Sequence, residues 1–167
     1  MYKYETVGDA YITASNLLKR DRRHRETGLA MAVTLVRVGG DLVVDLPDGG
    51  GRRGLSARVG LHTGPVAAGL VGLKRNVLTL VGDTLNVASR MESNGKPGCV
   101  QATEECWRGL PDEVKGLFEA TSVEAKGKGT LRAYLLDVDA HRDALASLGL
   151  DLMADPGTWE AINAARK

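Results

Sequence analysis

Aromatic residues are scarce in this chain. Its 167 residues include one Phe, two Trp and four Tyr, so a core has to be built from Val, Leu, Ala and Met. Cysteine is scarce too: Cys99 and Cys106 have neither metal-binding nor redox spacing and read as buried thiols in a reducing compartment. No run approaches the ~18 apolar residues of a membrane span. The opening Met1-Tyr2-Lys3-Tyr4-Glu5 has the form of neither a signal nor a transit peptide. A cytoplasmic chain without a membrane segment is therefore expected. The net charge of +1 gives the chain as a whole no electrostatic pull toward nucleic acid or a membrane surface. There is no internal repeat, and no Ser-His-Asp or Cys-His set that would serve nucleophilic catalysis.

Glycine is abundant. The 21 glycines make about 13% of the chain, nearly twice the usual share, and they cluster in turns. Such turns suit loops that approach a ligand closely. The length is enough for one domain and one core. Residues 2–7 and 10–15 read as a hairpin around Gly8-Asp9. A charged run over 19–26 reads as a solvated face, followed by an apolar helix over 28–38 that Gly39-Gly40 should stop. A loop over 47–54, a strand over 55–62, a short apolar stretch over 66–71 and a strand over 76–81 come next. A helix follows Gly82-Asp83-Thr84, with Asp83 as its expected start cap. Residues 99–102 read as a short buried strand, and Thr103 can cap a helix reaching Leu110. Segments 119–125 and 131–138 read as a hairpin. Beyond residue 138, helices over 141–148 and 158–165 read as a solvated C-terminal extension covering 139–167, leaving 1–138 as the domain proper. Mixed strands and helices in this order suggest an α+β sandwich.

The segment Gly82-Asp83-Thr84-Leu85-Asn86-Val87-Ala88-Ser89-Arg90-Met91-Glu92 carries the most chemistry. Asn86 and Arg90, four apart, share a helical face. An amide beside a forked cation suits a ribose-phosphate ligand. Leu85, Ala88 and Met91 can pack elsewhere on the helix. Asp9, on a tight turn, can present its oxygens to a hard cation. The glycines of Lys126-Gly127-Lys128-Gly129 let a backbone approach phosphate closely. His62 reads as structural.

Four segments, in order, resemble the catalytic domain of the class III nucleotide cyclases, the adenylate and guanylate cyclases. They are Tyr4-Glu5-Thr6-Val7-Gly8-Asp9-Ala10-Tyr11, the stretch Val59-Gly60-Leu61-His62-Thr63-Gly64-Pro65-Val66 with the turn after it, the helix segment just described, and Lys126-Gly127-Lys128-Gly129 followed by Tyr134. The resemblance implies a ferredoxin-like cyclase sandwich, a mostly antiparallel sheet with helices on one face. It also implies N-terminal truncation, since the family's opening strand with the first metal-binding aspartate has no counterpart.

The resemblance further implies cyclisation of a nucleoside triphosphate. Asn86 would hold the ribose and Arg90 the α-phosphate. Lys126 would grip the β- and γ-phosphates, and Asp9 would be a ligand of a two-ion Mg²⁺ or Mn²⁺ site. Glu5 falls on the purine-reading position. A carboxylate there accepts hydrogen bonds from guanine N1–H and the 2-amino group, which implies GTP. Thr79 falls on the second purine position, where guanylate cyclases usually have cysteine, so ATP stays open. The family's site is shared across a homodimer or heterodimer of cyclase domains. A non-catalytic nucleotide-binding or dimerisation module that regulates a cyclase is the alternative of another class.

Overall fold

A computed structural model describes residues 1–46, 51–74, 76–125 and 129–152. β1 (Tyr2–Val7) and β2 (Ala10–Ala14) form the expected antiparallel hairpin. Its register slips: Lys3 pairs with Thr13 but Glu5 pairs with Ile12, so Tyr4 is an extra residue on β1. A bulge of this kind bends a strand and re-aims its side chains.

α1 (His24–Asp41) begins inside the charged run and continues through Gly39-Gly40. Its buried residues Gly28, Leu29, Ala32, Val33 and Val36 recur at the three- and four-residue spacing of a single helical face. The glycine pair does not stop the helix, which closes at Leu42, whose amide reaches Val38 O at 3.0 Å. A close neighbour packs there through Gly54, where a Cβ would lie 2.7 Å from Gly40 O, whereas a Cβ on Gly40 itself would meet nothing within 4 Å. That neighbour is the hairpin of β3 (Val43–Asp45) and β4 (Arg52–Gly54), partly within the stretch expected to be a loop. Three-residue strands carry too little alternation to be read from sequence.

β5 (Val59–Leu61) is the short core of the expected central strand. β6 (Ala67–Val71) and β7 (Val77–Val81) form a second antiparallel hairpin, leading into α2 (Asp83–Ser93). The rest of the chain runs β8 (Cys99–Thr103), α3 (Glu104–Arg108), α4 (Asp112–Lys115), β9 (Glu119–Ala125), β10 (Gly129–Asp137) and α5 (Arg142–Ser147). Thr103 caps α3 as expected, its Oγ1 accepting from Cys106 N at 3.4 Å.

The main sheet has the order β5-β8-β10-β9, parallel between β5 and β8 and antiparallel elsewhere. This is the expected mixed, mostly antiparallel sandwich, but its helices cover both faces instead of one. Val59, Leu61, Val100 and Leu136 pack with Leu29, Val33 and Val36 of α1. Leu110, Val114 and Leu145 join that cluster. On the other face, Met91 of α2 packs with Val123 and Ala133. β8 is accordingly covered on both sides: all five of its residues are buried and none alternates outward.

The expectation of a solvated tail fails for its first part. Leu145 and Leu150 sit in the larger core. The Arg37 guanidinium also meets the buried Asp151 carboxylate at 3.3 Å. The predicted helix over 158–165 lies outside the described residues.

One contact decides how α2 sits. A Cβ on Gly60 would lie 2.2 Å from Glu92 N and 2.3 Å from Ala88 O, so the helix backbone rests directly on β5. The obstacle is backbone on both sides and cannot rotate away. Gly60→Ala is expected to cost at least ~2 kcal/mol, the middle of the range for overpacking. Urea unfolding measures this, and an unchanged midpoint would contradict it.

Candidate functional site

α2 is built with two stripes. Val87 and Met91 are buried, with Thr84, Leu85 and Ala88 partly so, whereas Asp83, Asn86, Ser89 and Arg90 are exposed. Asn86 and Arg90 therefore face away from the sheet together. Among the described residues neither side chain has a hydrogen bond or ion pair, so both are available to a ligand.

Several contacts hold the helix in this orientation. The N-cap position is Gly82, at φ 157°, where a side chain would be strained and where a Cβ would meet Pro65 O at 3.1 Å. Asp83 is thus the first helical residue and not the cap, although its charge still favours the positive end of the helix. Thr84 Oγ1 donates to Pro65 O at 2.7 Å, fastening the loop after β5 to the start of α2. Gln101 Nε2 donates to Met91 O at 3.1 Å, and Arg58 pairs with Glu92 at 3.0 Å. None of these positioning roles was read from the sequence. The available signal was Gly60 inside a strand pattern, which often marks a close backbone approach.

The remaining candidates come from two hairpins. Glu5 and Asp9 are exposed on β1 and in the β1–β2 turn. Thr79 is half-buried on β7, opposite Gly69 of β6. The two hairpins are tied where Leu80 N donates to Tyr4 Oη at 3.3 Å, which sets the neighbours Glu5 and Thr79 on joined strands. Lys126 lies outside the described residues. His62 is held structurally, its Nδ1 2.8 Å from the Thr103 Oγ1 that caps α3.

A hard divalent cation takes about six oxygen ligands. Asp9 would supply one carboxylate. Among the described residues no three His, Cys, Asp or Glu side chains are grouped to hold a metal. These residues alone do not fit the two-ion site that the resemblance implies. No described helix is long and apolar enough to cross a membrane.

Residues 1–138 match the sequence profile of the adenylate and guanylate cyclase catalytic domain. Atrial natriuretic peptide receptor 2 of Rattus norvegicus is 42% identical over 141 residues, covering 81% of this chain and 13% of the receptor. Guanylate cyclase soluble subunit beta-2 of Homo sapiens is 36% identical over 136 residues, covering 81% of this chain and 21% of the subunit. The guanylate cyclase domain of RhGC from Catenaria anguillulae, solved in complex with GTP, superposes with a TM-score of 0.65 at 31% identity, over 80% of this chain and 70% of that one. The chain belongs to the adenylate and guanylate cyclase catalytic domain family. It spans a small fraction of these curated relatives and 70% of that solved chain.

The two cysteines play no part in this site. Burial pushes the Cys106 thiol up from 9.0 to about 11 and raises Cys99 as well. Between about pH 9 and 11 the unfolded chain releases the Cys106 proton while the folded chain keeps it, so stability falls as pH rises through that window. Denaturant midpoints taken from pH 8 to 11 should fall more steeply for the wild type than for Cys106→Ala. Equal slopes would contradict the burial effect.

Proposed function

We propose that this chain is the nucleotide-recognising part of a guanylate cyclase catalytic domain, forming cyclic GMP and pyrophosphate from GTP in a site shared across a dimer. The observation that carries the reading is the exposed Asn86–Arg90 stripe on a helix whose other face is fixed to the sheet. Arg90 meets the α-phosphate, where negative charge grows as the ribose 3′-oxygen attacks phosphorus and pyrophosphate departs. Asn86 orients the ribose for that attack. Glu5 accepts from guanine N1–H and the 2-amino group, with Thr79 beside the base, and Lys126 grips the β- and γ-phosphates. The names of the relatives and the GTP-bound neighbour support GTP over ATP. An Mg²⁺ or Mn²⁺ ion would accompany the triphosphate, and Asp9 is the one carboxylate proposed here to meet it.

The second cyclase domain has a surface to dock on. The β6–β7 hairpin exposes Val71, Val77 and Val81 on one face, Val71 60% and Val81 64% exposed, and Leu70 on the other. Contiguous apolar exposure of this sort marks a protein interface. A homodimer, or a heterodimer with a domain richer in metal-binding carboxylates, fits this hairpin and the single aspartate. That lone Asp9 also favours a second reading, a non-catalytic nucleotide-binding or dimerisation module acting on a cyclase partner. Since the substrate is an intracellular nucleotide, the site of action is cytoplasmic in either reading.

Binding of fluorescent GTP and ATP analogues tests the assignment. Arg90→Ala should weaken GTP binding by about 10- to 100-fold, the range for a hydrogen-bonded charge. Glu5→Lys should move the preference from GTP toward ATP. Mixing the chain with an intact cyclase domain mutated at the position aligned with Arg90 should restore cyclic GMP formation. Unchanged GTP affinity in Arg90→Ala would refute the phosphate role. GTP binding without restored turnover would favour the non-catalytic module.

A further inference from the structure

Tyr4 combines two features that the reading above leaves unused. It is the extra residue of the β1 bulge, and its hydroxyl accepts the Leu80 amide at 3.3 Å across 76 positions of sequence. The bulge decides where Glu5 points. In an unbroken strand Glu5 would share the face of Lys3, two residues earlier. Lys3 pairs with Thr13, and its ammonium lies 5.1 Å from the Tyr11 ring centroid on that face. With the slip, Glu5 pairs with Ile12 and turns to the opposite face. The Leu80 amide donates to the Tyr4 hydroxyl, so the phenol bonds directly to the backbone of β7. Glu5 follows Tyr4, and Thr79 precedes Leu80. One hydrogen bond therefore joins the two strands that carry the proposed purine contacts, at the residues adjoining those contacts.

We propose that Tyr4 is a positioning residue for base selectivity: its bulge turns Glu5 to the face of Ile12, away from Lys3 and Tyr11, and its hydroxyl bond to the β7 backbone fixes the separation between Glu5 and Thr79. The proposal rests on the assignment of Glu5 and Thr79 to the purine. A carboxylate that reads two donors of guanine has to be held to a few tenths of an ångström. β1–β2 and β6–β7 are separate two-stranded sheets, so the geometry of their own ladders does not set that separation. Without the hydroxyl bond the two hairpins can shift against each other. Guanine binding then suffers more than adenine binding, and the triphosphate contacts on α2 are untouched.

The test compares the wild type, Tyr4→Phe and Glu5→Ala by competition of GTP, ATP and inorganic tripolyphosphate against a fluorescent nucleotide. Thermal unfolding confirms that each variant is folded. Tyr4→Phe keeps the ring and removes only the hydroxyl. The GTP-to-ATP affinity ratio should fall about 3- to 10-fold, the size of one hydrogen bond, while tripolyphosphate affinity stays the same. An unchanged ratio in Tyr4→Phe beside a lowered ratio in Glu5→Ala would overturn the positioning role and leave the purine assignment standing. An unchanged ratio in both variants would overturn both. Equal losses for GTP, ATP and tripolyphosphate would mean a general structural role and would also overturn it.

Discussion

The contact between Gly60 and the backbone of α2 is the constraint on which the arrangement depends. There the helix lies against the central strand at a distance that leaves no room for a side chain. Once α2 sits so close, its rotation is fixed. Met91 drops into the small core with Val123 and Ala133, and Gln101 reaches the Met91 carbonyl. The opposite stripe has to carry Asn86 and Arg90 to solvent. A polar pair held this way is pre-organised, because the helix spends its apolar stripe on the sheet and no internal partner among the described residues competes for the amide or the guanidinium. Orientation fixed before a ligand arrives is what a site acting by positioning and charge stabilisation requires.

The rest of the candidate site is modular. One hairpin carries Glu5 and Asp9, another carries Thr79, and the helix carries Asn86 and Arg90, the proposed ribose and phosphate contacts. The joints between these pieces are few and specific: Thr84 to Pro65 between the loop and the helix, and Tyr4 to Leu80 between the hairpins. The side of the β6–β7 hairpin left open is apolar, which suits an assembly in which a second domain covers it. The C-terminal segment has a different task. Through Leu145, Leu150 and the Asp151–Arg37 pair it seals the α1 face of the sheet, far in sequence from the residues proposed to meet the nucleotide.

What could be read from the sequence followed the range of the interaction behind it. The α2 stripe was legible because helical periodicity places Asn86 over Arg90 and leaves the buried positions between them, although Val87 was not singled out. The β1–β2 hairpin was legible from Gly8-Asp9 between two strand patterns. The cap at Thr103 was legible from the acidic residues that follow it. Where a distant neighbour decided the outcome, local signals misled. Gly39-Gly40 looked like a helix stop, but α1 runs through it to Asp41 and Gly54 packs on the Gly40 carbonyl. The polar spacing after residue 138 looked solvated, yet Leu145 and Leu150 are core residues. The bulge at Tyr4 could not be foreseen, since nothing in Tyr2-Lys3-Tyr4-Glu5 reveals that a backbone amide 76 residues on will need its hydroxyl. Membership in the cyclase family was legible from four ordered segments, whereas the joints that hold those segments in place were not.

The central claim is that a guanine nucleotide lies along the exposed stripe of α2 with its base toward Glu5. Amide chemical-shift mapping during titration with a non-cyclisable GTP analogue tests it most directly. The account predicts the largest changes over residues 82–90 and at Glu5 and Thr79, with small changes around Leu29, Leu136 and Leu145 in the α1 core. Saturable changes confined to other surfaces, or none at all along α2 at nucleotide concentrations that saturate binding, would contradict it.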